Sequence, residues 1–513
     1  MHLEPPNMQE KWTRSMRLAI IGSFLVLGWL AGGGSPVQAA NEIVTDCSNE
    51  TQLRTKLTAM QSSGGGTLTF ACGSATIVLT AGQLPTITKT TIVDGGGKIT
   101  LSGGNSSRLF YVSAGAALTL KNLTVTRGFH DGDGGAIRND GTLTIINCTF
   151  FLNETTLNGS GGAIVSYGPL NIANSAFHKN KAANGGALFP RFAAAVTTIT
   201  GSSFYENETS SPVNGWGGAM LLWDGAVMTM TNSSLTNNSA QDGGAVFVHV
   251  ASHFAAINST IADNVVGVAG NSAINSEGYV ALSGVTVSGN AGMGIYNRSI
   301  AVLTNVTLSG NGGSGIRSQQ RMELMNVTAK NNAQYGIHDD GPSLVARNLL
   351  LVGNFLSNCA GPLVAPFSLS TDGSCGFGAG RDSIPVLLPV LANNGGPTLT
   401  HLPPAGSAAI DNGSGVGAPA IDQRGFPRPA GGAVDVGAVE VQPPTATPTK
   451  TPTHTPTRTN TRTPTTVPNT ATATRTPVVA APATRTPTRT PTVTVAGTPQ
   501  SATRKVFLPL VGK

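Results

Sequence analysis

The chain predicts an all-β fold, a right-handed three-sided parallel β-helix, and three observations carry that prediction. A Gly-Gly-Ala phrase recurs at Ala136, Ala163, Ala187, Ala219 and Ala245, and Ala273, Gly294, Gly315 and Gly336 continue its slot. Each slot is followed by an Asn or Gly and, six positions later, by an Asn. The pairs are Asn147/Asn153, Asn174/Asn180, Gly201/Asn207, Asn232/Asn238, Asn258/Asn264, Gly284/Asn290, Asn305/Asn311, Asn326/Asn332 and Asn348/Asn354. The slots stand 24 to 32 residues apart at first and 21 apart from Ala273 to Gly336. About 21 residues holds three short strands and three turns but not a helix pair.

Within a coil, apolar residues alternate at period two and slip phase at the first Asn. Leu143 and Ile145 precede Asn147, and Cys148 and Phe150 follow it. A phase slip is a corner. Asn suits a corner because it tolerates the left-handed conformation and bonds nearby backbone. Stacked Asn amides also bond one another in columns. Several of these Asn, such as Asn147, Asn232, Asn258 and Asn326, stand in Asn-x-Ser/Thr sequons. The ladder is the simpler reading, since a glycan would have to leave from a structural column. At about 4.8 Å per coil, ten coils make a rod of roughly 48 Å.

The phrases GGAI (134–137), GGAI (161–164) and GGAV (243–246), with FFLN (150–153), FHKN (177–180) and FYEN (204–207), resemble the repeats of the polymorphic outer membrane protein family. More broadly the chain is similar to the pectin-lyase-like β-helix superfamily. The resemblance implies a surface-exposed rod, in some members an adhesin. The family's C-terminal membrane β-barrel does not follow the repeats here, which argues against an autotransporter route.

Residues 1–40 read as an export signal: Lys11, Arg14 and Arg17 precede an apolar run that ends in small residues. Residues 41–98 form an N-terminal cap and first strands. Within them 49–62 predicts a helix with an Asn49/Gln52 capping box and an apolar stripe of Leu53, Leu57 and Met60. Such a cap shields the open strand edges of the rod. The coils occupy 99–358. Five cysteines suit an oxidising compartment. Cys47 pairs with Cys72 and Cys359 with Cys375, one staple at each end, and Cys148 stays a buried thiol.

Residues 359–442 predict a C-terminal cap that closes the core. Its stretch LANNGGPTLTHLPPAGSAAIDNG, then IDQRGFPRP and VDVGAVE, resembles the choice-of-anchor Q module of secreted bacterial β-helix proteins. Asp411, Asp422, Arg424, Asp435 and Glu440 pair within it. Residues 443–503 are Thr-Pro repeats without core-forming residues and read as a disordered, polyproline-rich stalk. Residues 504–513 return to apolar side chains and read as a sorting or docking segment, too short to span a bilayer. From 441 onward every charged residue is Lys or Arg, so the basic balance belongs to the tail. The rod is not a nucleic-acid binder, and no membrane span is expected in the mature chain. The tail's partner is an anionic wall or envelope polymer.

The turn after the second Asn is long in the N-terminal coils and shrinks to four residues in the last three. Long insertions on one face of a solenoid mark a binding face. These turns carry Glu154, Glu208 and Asp242, and Trp216 stands in the longest. A Trp beside carboxylates is a saccharide platform, or else a cover for the coil edge. Charged residues are only 11% of the chain, sparse for an enzyme on an acidic polymer. His338, Asp339 and Asp340 come nearest to an acid–base or metal cluster. Yet Asn-Thr-Asp and Gly-His-Gly motifs are absent, and the run shares its slot with Gly-Ile-Tyr-Asn at 294–297, which reads it as a turn. Asp131 and Asp133 form a candidate calcium loop without a completing Glu. No catalytic residue is assigned, and calcium is the one cofactor considered. The chain reads as an exported polysaccharide- or cell-binding module, with a polysaccharide lyase or hydrolase, or a structural rod, as alternatives.

Overall fold

The computed structural model describes residues 39–443, apart from 212–213 and 268–269. The expected export signal, 1–40, lies outside the described residues except for 39–40, as do the expected Thr/Pro stalk, 443–503, beyond its first residue and the apolar end 504–513. The rest is a right-handed, three-sided parallel β-helix.

Every paired strand of the coils runs parallel to its neighbours one coil away, as Leu143, Leu170 and Thr197 show by their register. Three sheets result. The GGA sheet has 11 strands, nine of them at or immediately after a Gly-Gly-Ala slot and one more at each end. The long sheet has 22 strands and supplies the other two sides, bending between them at the first Asn. A short sheet of 6 two-residue strands fills the corner after the second Asn. One apolar core runs from Val44 to Cys375. Phe150, Phe177 and Phe204 stack inside it at 4.7 Å intervals, the spacing of the coils themselves.

The two Asn columns divide the labour. The first holds the left-handed corner: φ is 53° at Asn147, 49° at Asn232 and 54° at Asn326, and Gly201 and Gly284 take over where Asn is missing. The second forms the ladder. Asn153 Nδ2 donates to Asn180 Oδ1 at 2.9 Å, Asn180 to Asn207 at 2.9 Å, and Asn207 to Asn238 at 2.9 Å. The column continues through Asn264, Asn290, Asn311, Asn332 and Asn354 to Asn358. Each amide is saturated. Asn207 Oδ1 accepts from the backbone and side chain of Asn180, and its Nδ2 also donates to the Phe177 carbonyl. A buried amide left unpaired would cost about 1–3 kcal/mol, so the ladder permits a wholly buried polar column. The left-handed residue at this second corner is the one before the ladder Asn, and in three coils it is Leu152, Lys179 or Glu206.

At the N-terminal end a helix, α1 (Thr51–Ser62), presses Leu53, Leu57 and Met60 into the core. It starts two residues later than expected, and the capping box does not form. Gln52 accepts instead from the Thr45 and Asp46 amides, which ties the helix to the first strand. Glu50 turns inward and accepts from the amides of Thr80 and Ala81. Cys47 is bonded to Cys72, Cys359 to Cys375, and Cys148 is free and buried.

The expected C-terminal cap is two different things. Ala365 and Cys375 join the core and close the rod's end. Residues 389–440 do not close it. They turn back along one side as a strap. Its carbonyls at Ile421, Asp435, Gly437 and Ser414 accept from the corner amides of Asn305, Asn326 and Asn348. Thr286 and Thr307 bond Leu399 and Gln423, and the Ala438 amide donates to Thr328. The strap's carboxylates serve its own loops: Asp422 accepts from the amides of Arg424, Phe426 and Glu440. Arg428 and Glu440, both fully buried, pair at 3.3 Å. The expected pairing set lacked Arg428, and nothing in the motif says that the strap's partner is a side of the rod.

Candidate functional site

The outward row of the GGA sheet changes character along the rod. Tyr111 and Arg138 begin it, Val165 and Phe189 follow, and Phe247, Asn275, Tyr296, Arg317 and His338 end it. Outward Val165, Phe189, Leu221 and Phe247 are buried because Tyr167, Trp216 and Trp223 lie over them. This second, external apolar cluster is what the two tryptophans are for in packing terms.

The covering rings form a platform. Trp216 and Trp223 stack with centroids 5.8 Å apart at 15°, and Trp216 stacks on Phe247 at 5.3 Å. Trp223 lies 3.5 Å from the His249 ring, nearly parallel. Trp216, Trp223 and His249 each keep part of their surface in solvent. The Trp216 amide donates to Asn184 Oδ1, which fixes the longest loop to the preceding coil. Charged pairs border the rings: Arg191–Asp224 at 2.9 Å and Arg138–Asp140 at 3.0 Å, with the Arg138 guanidinium 5.1 Å from the Tyr167 ring. Flat, fixed aromatic rings beside hydrogen-bonding pairs present apolar area at low entropic cost together with polar specificity.

The structure splits the predicted saccharide set. Asp242 is paired by a backbone bridge with Trp216 and belongs to the platform. Burial pushes its carboxyl above the usual range, against the amides of Gly243, Ser272 and Asn275 that hold its charge. Glu154 and Glu208 belong elsewhere. They sit on the short sheet, in a cleft of about 580 Å³ with Leu152, Lys179, Lys181 and Glu206, which Trp216 does not line. Lys181 pairs with Glu208 at 2.6 Å, and that bond raises its pKa. The loop between Glu208 and Trp216 separates them; sequence spacing alone could not show it.

The predicted calcium loop comes apart. The Asp131 side chain is 88% exposed, beside His130 at 3.6 Å. Asp133 turns away, accepting from the Ser160 amide and the Tyr167 hydroxyl. Among the described residues no group of three or more His, Cys, Asp or Glu is gathered for a metal.

His338, Asp339 and Asp340 do share a slot with 294–297, but that slot is strand, Tyr335–Asp339, and not a turn. His338 and Asp340 face outward together, Nε2 to Oδ1 at 2.9 Å, and Arg317 joins them at 2.8 Å. Burial works against the Asp340 charge, yet Arg317 and His338 bring its pKa below the usual value. Asp339 instead continues the column of Ser318 and accepts from the Gly341 amide, and burial raises its pKa. The three do not converge. Sequence reading missed Trp223, His249, Arg138 and Arg191. Their one signal was position: Trp223 and His249 fall at the same place after their Gly-Gly-Ala slots.

No protein-family model matches the chain and no curated protein does, so the two family resemblances rest on their motifs. Among solved structures, the A-module of the Azotobacter vinelandii mannuronan C-5 epimerase AlgE6 is similar. It is 14% identical, the match covers 61% of this chain and 96% of that one, and the TM-score is 0.30.

Proposed function

We propose that this is an exported, surface-displayed or extracellular β-helix rod that binds a polysaccharide chain along its GGA sheet. The Thr/Pro segment holds it away from the cell, and the tail's cations engage an anionic wall or envelope polymer. The repeat and module resemblances support the surface setting. One observation carries the binding reading: Trp216, Trp223 and His249 form a fixed, part-exposed stack on one side of the rod, bordered by Arg/Asp pairs. Rings that only covered apolar strands would have no need of that border. Affinity electrophoresis against a panel of polysaccharides tests this. The mature protein is retarded by at least one polymer, and Trp216→Ala weakens that binding at least tenfold, a loss of about 1.4 kcal/mol or more. Absence of retardation on every polymer would leave a structural rod.

A second reading has its own observation. Arg317, Asp340 and His338 stand further along the same face as an acid–base group beside the proposed path of the chain. Release of reducing ends that His338→Ala abolishes would make the protein a polysaccharide hydrolase or lyase. No release would dismiss it.

A further inference from the structure

We infer that the aromatic face takes an uncharged polysaccharide and discriminates against polyuronates, an inference that rests on reading that face as a glycan platform. The carrying observation is the charge pairing of the face. Arg138 is bonded to Asp140, Arg191 to Asp224, Arg298 to Glu277 and Arg317 to Asp340, all at 2.8–3.0 Å. Arg108 is buried and spends its guanidinium on the carbonyls of Asp133 and Gly134. Among the described residues of this face no exposed cation is left over, whereas Asp133, in the field of buried Arg108, and Asp242, in that of the already paired Arg298, bring two further carboxylates that make no ion pair of their own.

A polyuronate bound here would meet each guanidinium with a protein carboxylate already in place. Charges elsewhere do not compensate, because screening removes them beyond about 8 Å at physiological salt. The contrast lies on another corner, where exposed Arg127 lines the cleft of Lys179 and Lys181. For a neutral sugar the pairs are an asset. A guanidinium has five N–H donors, of which a carboxylate uses one or two, so each pair offers free donors next to free acceptor lone pairs. That alternation matches vicinal hydroxyls, which both give and take. The rings supply the apolar contact.

The experiment is affinity electrophoresis of the full chain in gels carrying a neutral glucan, xylan or mannan, or alginate or polygalacturonate, at low and physiological salt. The tail's Lys and Arg drag on polyanions by themselves, so only retardation that Trp216→Ala or Trp223→Ala removes is assigned to the face, with unchanged strand signal in circular dichroism. A neutral polymer should retard the protein, at least tenfold more weakly in either variant and with little salt dependence. No Trp-dependent retardation should occur on the polyuronates. The double variant Asp140→Asn, Asp224→Asn uncovers Arg138 and Arg191 and should gain Trp-dependent, salt-sensitive retardation on polyuronates. Trp-dependent retardation of the unaltered protein on a polyuronate, equal to or above that on neutral polymers, overturns the ligand class and leaves the platform standing. No Trp-dependent retardation on any polymer overturns both.

Discussion

The coils before residue 284 and those after it use one corner in opposite ways. Asn147, Asn174 and Asn232 hold the left-handed turn and are exposed. Asn305, Asn326 and Asn348 hold the same turn and are 4%, 0% and 0% exposed, because the strap lies across them. The neighbouring outward row follows suit: Thr286, Thr307 and Thr328 are buried, while Thr149, Ser203, Ser234 and Thr260 are half-exposed. The lesson is that an Asn at a coil corner contributes its backbone geometry everywhere, but its amide is buried and bonded to a distant backbone carbonyl only where the strap brings one. The strap supplies those carbonyls to one half and leaves the other half bare.

The largest effect expected from breaking that arrangement is at the strap's buried pair. Arg428→Ala strands Glu440 and should cost about 3–5 kcal/mol. Hydrogen exchange should show the loss in the strap and coils 284–350 while coils 136–266 keep their protection. Equal loss in both halves would break the comparison.

A smaller effect comes from pH. His401 bridges strap and rod, with Nε2 at 2.9 Å from Ser309 Oγ and Nδ1 at 2.8 Å from the Pro389 carbonyl. Burial, helped by Lys330, drops its pKa to about 4. The unfolded ring binds a proton near pH 6.5 and the folded one does not, so the contribution is complete above pH 6.5 and lost as pH falls toward 4. It is on the order of 3 kcal/mol at most. Asp435 and Glu440, which burial raises, act in the opposite sense. Comparing the stability of the protein with that of His401→Asn between pH 4 and 7 isolates the imidazole. Parallel curves would remove it as a latch.

The sharpest comparison is Asn326→Gly against Asn232→Gly. Both replacements keep the left-handed turn. The first loses the bonds to Asp435 and Gly437 and should cost about 2 kcal/mol in chemical denaturation. The second should change stability by no more than about 0.5 kcal/mol. Smallest of all is Lys179→Asn, which relieves a non-Gly, non-Asn residue at φ 53° and should gain about 0.5 kcal/mol in the open half.

The repeat period, the inward alternation and the Asn pairs determined the solenoid, the coil boundaries and the ladder by themselves, because stacking identical corners leaves one way to bury Leu143, Phe150 and Asn153 in every coil. The end staples were legible for a similar reason, each cysteine pair bracketing one end of the repeats. Three things only the tertiary structure decided. The strap's seat on the side of the rod depends on carbonyls some 100 residues away, as in the Ile421 to Asn305 bond. The splitting of Glu208 from Trp216 depends on how one loop crosses an edge. The charge pairing of the aromatic face depends on Arg191 meeting Asp224 from the next coil. Local sequence sets a residue's conformation and which way it points. Which groups then meet it is set by the stacking of coils and the path of the chain back along them, and charge pairing and burial follow from that meeting.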